Sequence, residues 1–310
     1  MLIEVSQLTR YYGEDAAIRD VTFTVAEGTV TGLLGLNGAG KSTTLKILAG
    51  LMPPSSGTVR IDGVDLRAEP ARLRAGIGYL PEDPPLYLDM TVREFVSYMG
   101  RLKGMPAEQV SERLPGVLKV TQLTDRADQV IATLSHGYRK RVGIAQAIIH
   151  NPRLVILDEP ISGLDPRQIA DMRKVVRDLA KGRAVLVSSH NLAEVQQTCD
   201  RLLVLHRGKL VREGTEEELT RTARLQRLQL IVRGEPRAFE SWLGNQPGVT
   251  QVDVKDAAEG EARAVVTLDG DHREAIAKGL IDAGFGLRGL ELGTSPLEAL
   301  FLGITADGDA

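Results

Sequence analysis

The sequence predicts an α/β protein carrying a second, smaller α+β domain. Three observations predict it. An apolar run over residues 30–34 ends in a cluster of glycines and passes into a helical apolar spacing, Leu45 and Leu48, that stops at Gly50. Two further short apolar runs each end in polar residues: LVIL is followed by Asp158 and Glu159, and AVLVSS by His190. Short, wholly apolar strands of this kind suit a parallel sheet covered on both faces. From residue 228 onward the periodicity reads strand, helix, strand, strand, helix, strand, which describes a compact unit of its own. Open parallel sheets bind ligands at the carboxyl ends of their strands. The glycine cluster, the acid pair and the histidine all fall there.

Composition sets the outer limits. At 310 residues the chain is long enough for two domains with separate cores. Its 43% hydrophobic and 25% charged content is ordinary for a globular protein, and a net charge of −3 supplies no overall basic field for nucleic acid. The single cysteine, Cys199, excludes an intrachain disulfide and reads as a small buried side chain in a reducing compartment. A membrane-spanning helix needs about 20 consecutive apolar residues, and no such run is present. The start, MLIEVSQLTR, lacks the basic segment and apolar core of a signal peptide. The expected location is the cytosol, with any membrane span supplied by another subunit.

Taken in order, Ile3, Val5 and Leu8, then Val21, Phe23 and Val25, alternate as strand residues. YYGEDAAI between them reads as turn-like, with Tyr12 either a stacking platform for a base or a shielding aromatic. Gly35, Gly40, Lys41 and Ser42 then fit G-x-x-x-x-G-K-[ST], the phosphate-binding loop of nucleoside triphosphatases. Gly35, Gly38 and Gly40 let backbone N–H groups approach phosphate oxygens. Lys41 supplies a mobile positive charge, the Ser42 hydroxyl can ligate Mg²⁺, and the following helix offers its positive end.

PPSSG is loop chemistry, and TVRIDGVDL reads as a hairpin turning at Asp62-Gly63. Residues 77–87 begin as a strand and break into a proline-rich loop that carries Glu82 and Asp83. Val92, Phe95, Val96 and Met99 open a helical stretch from Thr91 to about residue 120, interrupted at Gly104 and restarted by Pro106. A second helix spans 137–149, with Ser135 at its N-terminus, a common N-cap type. Asp158 and Glu159 close the next strand, where adjacent carboxylates are costly to desolvate unless a cation or hydrogen-bonding substrate is near. SGLDP leads into a helix at about 167–181, and a further strand ends at His190. Two short strands around Arg207-Gly208 complete the first domain near residue 220.

A polar helix or linker follows at 216–227. The βαββαβ order of 228–292 describes a ferredoxin-like sandwich, trailed by an amphipathic piece with Leu297, Leu300 and Phe301 and a disordered tail at 306–310. No catalytic cluster, internal repeat or low-complexity segment is evident there.

Taken together, residues 1–220 resemble the nucleotide-binding subunit of an ATP-binding cassette (ABC) transporter. GLNGAGKST, with Gly35, Asn37, Gly38, Ala39, Gly40, Lys41, Ser42 and Thr43, matches the Walker A motif, and LVILDE matches Walker B with its following glutamate. LSHGY resembles the family signature LSGGQ, retaining Ser135 and Gly137 but carrying His136 and Tyr138. SGLD, with Asp165, resembles the D-loop, His190 falls at the switch histidine, and Tyr12 at the adenine-stacking aromatic. Leu36 stands where a proline is usual, and Glu82 where the family often has a glutamine. GYLPEDPPLY, LSHGYRKR and SPLEALFL are similar to the ABC-2 export branch, which includes antibiotic-efflux and gliding-motility ATPases.

The resemblance implies a RecA-like core, an antiparallel β subdomain and a helical subdomain at about 83–150, then a linker at 221–227 and an accessory domain at 228–305. It implies ATP and Mg²⁺ as cofactors, held by the Walker A residues with Ser42, Asp158 and Glu82 as metal ligands. Glu159 would act as general base beside His190. A head-to-tail homodimer would bring Ser135 and Gly137 of one chain to the nucleotide of the other, and multi-spanning permease subunits would be driven at the cytoplasmic face of the cell membrane. The competing expectation is a soluble ABC ATPase acting on nucleic acid or ribosomes, which the net negative charge disfavours.

Overall fold

The computed structural model describes residues 3–221, 226–257, 260–292 and 301. The chain divides into two compact units, Met1–Thr215 and Glu216–Ala310, the break falling a few residues ahead of the expected end near 220.

In the first unit, β1 (Ile3–Tyr12) and β2 (Asp15–Val25) form an antiparallel pair. Tyr11 and Tyr12, expected in a turn, pair instead with Ala16 and Asp15 across the antiparallel β1–β2 ladder. The turn shrinks to Gly13 and Glu14. β3 (Val30–Leu34) is buried at every residue and passes through the glycine loop into α1 (Lys41–Leu48), beyond whose C-cap Gly50 takes a φ of +68°. β4 (Ser56–Ile61) and β5 (Val64–Asp65) form the expected hairpin. Asp62 and Gly63 both have positive φ, 52° and 75°, as a two-residue type I′ turn requires.

The short α2 (Pro70–Ala75) was not legible as a helix; it leads to β6 (Ile77–Leu80). α3 (Val92–Leu102) opens with a capping box, Thr91 accepting from the Glu94 N–H while the Glu94 carboxylate accepts from the Thr91 N–H. α4 (Ala107–Val120) follows Pro106, and α5 (His136–Ile148) follows Ser135. β7 (Leu154–Leu157), α6 (Pro166–Leu179), β8 (Ala184–Ser189), α7 (Leu192–Thr198), β9 (Arg201–His206) and β10 (Lys209–Gly214) complete the unit.

The central sheet runs β10-β9-β3-β8-β7-β6, parallel except for the edge strand β10. β3, β7 and β8 are its wholly buried strands, which accounts for their largely apolar sequence, broken only by Thr31 and Gly32 in β3 and by Ser188 and Ser189 at the end of β8. One apolar core packs α1 and the β2-β1-β4-β5 sheet onto it, with Ile3, Phe23, Leu45 and Leu186 among its members. The other joins it to α3–α6 through Phe95, Leu118, Ile144 and Val176. The C-terminal ends of β3, β7 and β8 therefore open on one edge between two cores.

The second unit begins with α8 (Glu216–Arg221), then β11 (Gln226–Arg233), α9 (Pro236–Gly244), β12 (Val249–Ala257), β13 (Glu261–Leu268), α10 (Arg273–Asp282) and β14 (Gly286–Leu292). The expected linker at 221–227 thus starts on the last residue of α8 and ends within β11. Its antiparallel sheet, β12-β13-β11-β14, has the strand order of a ferredoxin-like sandwich. Leu228, Leu230, Phe239, Val266 and Leu280 fill the core. Leu297, Leu300 and the tail at 306–310 lie outside the described residues, whereas Phe301 is described and buried.

Candidate functional site

At the end of β3 the chain turns through Leu36, Asn37 and Gly38, all exposed, and reaches Gly40 at φ +99°. A Cβ at Gly40 would lie 2.5 Å from the Ile18 side chain and 2.6 Å from the Ala17 carbonyl, so both sterics and φ demand glycine. Ala39 is buried, its carbonyl accepting from the Gly208 N–H, and Thr43 is half-buried at the start of α1. A cavity of about 380 Å³ sits over this loop, lined by Asn37, Gly38, Gly40, Lys41, Ser42 and Thr43, with Glu82, Glu159 and His190 facing them. Gly35 is buried behind the loop.

The charged groups are knitted together. Lys41 donates from Nζ to the Gly35 and Leu36 carbonyls, at 2.8 and 3.3 Å, and stands 3.4 Å from Glu159 Oε1. The other oxygen of Glu159 accepts from His190 Nδ1 at 3.0 Å. Asp158 Oδ1 accepts from Ser188 at 2.7 Å and from Ser42 at 3.4 Å. Glu159 is a non-glycine residue at φ +48°, a conformation costing on the order of 1–3 kcal/mol and kept only where its surroundings dictate it. Both carboxylates are buried, so their pairing offsets a desolvation penalty that either alone would suffer.

Ser135 occupies the N-cap of α5 with an extended backbone, yet its side chain caps nothing and it is exposed. Gly137 is buried, and a Cβ there would sit 2.4 Å from Gln168 Oε1. Asp165 caps α6 by accepting from the Arg167 and Gln168 N–H groups, both at 3.0 Å. Tyr12 is 48% exposed, with its hydroxyl 3.2 Å from Met52 Sδ and the Arg10 guanidinium 5.4 Å from its ring centroid. It is not among the residues lining the cavity.

Two residues that sequence reasoning missed take part. Ser188 links the two acids, donating to Asp158 and accepting from the Glu159 N–H at 2.9 Å, and Lys140 donates to the Glu159 carbonyl at 2.8 Å. Ser188 falls in the strand that ends at His190, which was its only signal.

A larger depression of about 790 Å³ in the second unit, around residues 271–275, is open, and Arg273 pairs there with Asp271 and His272 with Asp269. Size alone therefore does not mark the site.

A phosphate loop at the end of a buried parallel strand, facing two buried carboxylates and a histidine, defines a nucleoside triphosphatase of the phosphate-loop class. Residues 18–162 match the ABC transporter family. The chain is 30% identical to the linearmycin resistance ATP-binding protein LnrL of Bacillus subtilis, covering 98% of each. It is 33% identical to the Nod factor export ATP-binding protein I of Rhizobium sp. (strain N33), over 98% of this chain and 96% of that one. Among solved structures, the dimeric bacterial ABC transporter cassette MJ0796 superposes with a TM-score of 0.63 at 28% identity, covering 69% of this chain and 98% of that one. The chain belongs to the ABC transporter family, as an ATP-binding subunit with an ABC ATPase fold. Among the described residues no helix is long and apolar enough to cross a membrane.

The donor set fits a magnesium ion. Ser42 and Asp158 meet at the cavity edge and Glu82 lines the same cavity, while no group of three or more His, Cys, Asp or Glu is gathered among the described residues. Mg²⁺ is characteristically held by one or two carboxylates together with substrate phosphates, not by an all-protein cage.

Proposed function

We propose that this chain is the ATP-hydrolysing subunit of an ABC-2 type exporter. It works as a head-to-tail homodimer on separately encoded permease subunits at the cytoplasmic face of the membrane. The observation that carries the reading is Glu159. It is buried, held in a strained backbone conformation, and its carboxylate bridges the phosphate-loop lysine and His190. The names of the two relatives, one in linearmycin resistance and one in Nod factor export, support transport over action on nucleic acid or ribosomes.

ATP phosphates enter the cradle of residues 35–43, where N–H groups and the α1 N-terminus meet them. Lys41 exchanges Glu159 and the two carbonyls for phosphate oxygens, which releases one carboxylate oxygen. Glu159 then polarises the attacking water, with His190 orienting it from the other oxygen and contacting the γ-phosphate. Ser42 and Asp158, with Glu82, would hold Mg²⁺, which supplies charge neutralisation for the phosphates. Tyr12 offers the adenine an exposed ring face. The uncapped Ser135 hydroxyl, the Gly137 N–H and Asp165 serve the nucleotide of the second copy. The loop around Glu82 and the helices from Thr91 onward form the permease-docking surface.

Glu159→Gln tests this reading. ATP binding should persist while turnover falls about 10²-fold or more, as expected for loss of a general base. The variant should accumulate as an ATP-bound dimer on size-exclusion chromatography. Near-normal hydrolysis by the purified variant would remove Glu159 from the mechanism.

A further inference from the structure

Lys140 is 2% exposed, just over one turn into α5, within the LSHGYRKR stretch but outside the LSHGY signature itself. Its ammonium donates to the backbone carbonyl of Glu159 at 2.8 Å, and the same carbonyl accepts from the Ser162 N–H at 3.3 Å. On the other side of the residue, the Glu159 N–H donates to Ser188 Oγ at 2.9 Å. The peptides flanking Glu159 are thus gripped from α5 and from β8. The grip has something to resist, since Glu159 is left-handed at φ +48° and stands before Pro160, whose ring restricts it further.

Burying an ammonium to serve a neutral carbonyl is costly. Burial lowers the Lys140 pKa, while the carboxylates of Glu82, Asp83, Glu159 and Asp158 oppose that shift. The residue also lines a second cavity of about 380 Å³ with Asp83, Pro84, Pro85 and His136. It therefore stands between the proline-rich loop and the base.

We propose that Lys140 is a positioning residue for ATP hydrolysis: by holding the Glu159 carbonyl it fixes the left-handed backbone that aims the base carboxylate into the phosphate cradle. The inference rests on the reading of Glu159 as general base. It has a consequence for coupling. α5 carries Ser135 and Gly137 at its start, so a shift of that helix moves Lys140 and with it the aim of Glu159 in the same chain.

The test is a double-mutant cycle in the full-length protein, read by steady-state and single-turnover ATP hydrolysis and by equilibrium binding of a fluorescent ATP analogue. Lys140→Met removes the donor at nearly constant volume. It should lower kcat about 10- to 100-fold, the scale of a base misplaced by about 1 Å, with KM and analogue affinity within about twofold. In the Glu159→Gln background the same substitution should change the rate by less than about twofold, because the group it aims is already gone. An unchanged kcat in Lys140→Met overturns the inference. So does a multiplicative loss in the double variant, or a parallel loss of nucleotide affinity. Lys140→Gln, one bond shorter and uncharged, decides on the same criteria if the methionine variant does not fold, with a smaller kcat loss expected. Hydrolysis that survives Glu159→Gln alone rejects the base assignment instead, so the two failures are separable.

Discussion

The two units of this chain obey packing rules to different degrees. In the first, Lys41, Lys140, Arg141, Asp158 and Glu159 are buried, and seven non-glycine residues hold a left-handed φ, among them Asn151 and Glu159. In the second, among the described residues, every buried side chain is apolar and no non-glycine residue has positive φ. Alternating strands and two amphipathic helices around Phe239 and Leu280 suffice there. The difference locates the chemistry. Buried charge and strained backbone coincide at Glu159, beside buried Lys41 and Asp158 on the sheet edge that lines the cavity, which agrees with a nucleotide site, whereas left-handed Asp62 serves a hairpin turn.

The largest effect that could break this comparison is a core deletion in the second unit. Phe239 is fully buried and packs 5.6 Å, centroid to centroid, from the Phe285 ring. Phe239→Ala should destabilise that unit by about 3–5 kcal/mol through lost burial and a residual cavity. Calorimetry should show one unfolding transition move down while kcat and KM for ATP stay at wild-type values. A matching loss of ATPase activity would show that the second unit is not merely a conventional core but a working part of the site.

The next effect concerns Glu82, which lines the nucleotide cavity where the wider family often has an amide. A carboxylate there faces repulsion from Asp158, Glu159 and ATP phosphates unless a cation is present. Glu82→Gln should raise the Mg²⁺ concentration for half-maximal ATPase by about fivefold to tenfold while sparing the maximal rate. The comparison is a Mg²⁺ titration at fixed ATP. Coincident curves for wild type and variant would move Glu82 from the metal to the permease-facing role.

What was legible in the sequence follows the same division. The βαββαβ order was readable because each element of the second unit carries its own period, and the phosphate loop because strand, glycines and helix are contiguous. Tyr12 was misplaced into a turn because strand pairing with Asp15 is decided by a partner, not by local composition. The short α2 and α7 depend on tertiary support, since helices of six and seven residues are unstable alone. Lys140 and Ser188 carried only indirect signals, one as a charge in the LSHGYRKR stretch and the other as a serine in the strand ending at His190. Only the folded backbone brings them to Glu159.

The smallest effect sharpens the comparison by asking whether every broken rule in the first unit is functional. His150 follows Ile149, the C-cap of α5, and stands beside left-handed Asn151. Its Nε2 meets the Ile77 carbonyl at 3.1 Å, while its buried Nδ1 has no hydrogen-bond partner among the described residues. Burial, with Lys103, Arg113 and Arg183 nearby, pushes its pKa down to about 4 from the ordinary 6.5, the Ile77 contact opposing the shift. The sign follows directly. Above pH 6.5 both folded and unfolded chains hold a neutral imidazole, and the group contributes nothing to pH dependence. As pH falls toward 4, the unfolded chain takes up a proton that the fold refuses, so stability is lost through that window. Allowing for partial solvent screening, the loss between pH 7 and 5 should be on the order of 1 kcal/mol. His150→Gln keeps a donor for Ile77 but cannot titrate. It should flatten the denaturation midpoint between pH 7 and 5 while leaving ATPase kinetics at pH 7 unchanged, because the residue lies near the amino end of β6, away from the nucleotide edge. An unaltered pH profile would deny His150 this cost, and a loss of turnover would extend the functional region to the far end of the sheet.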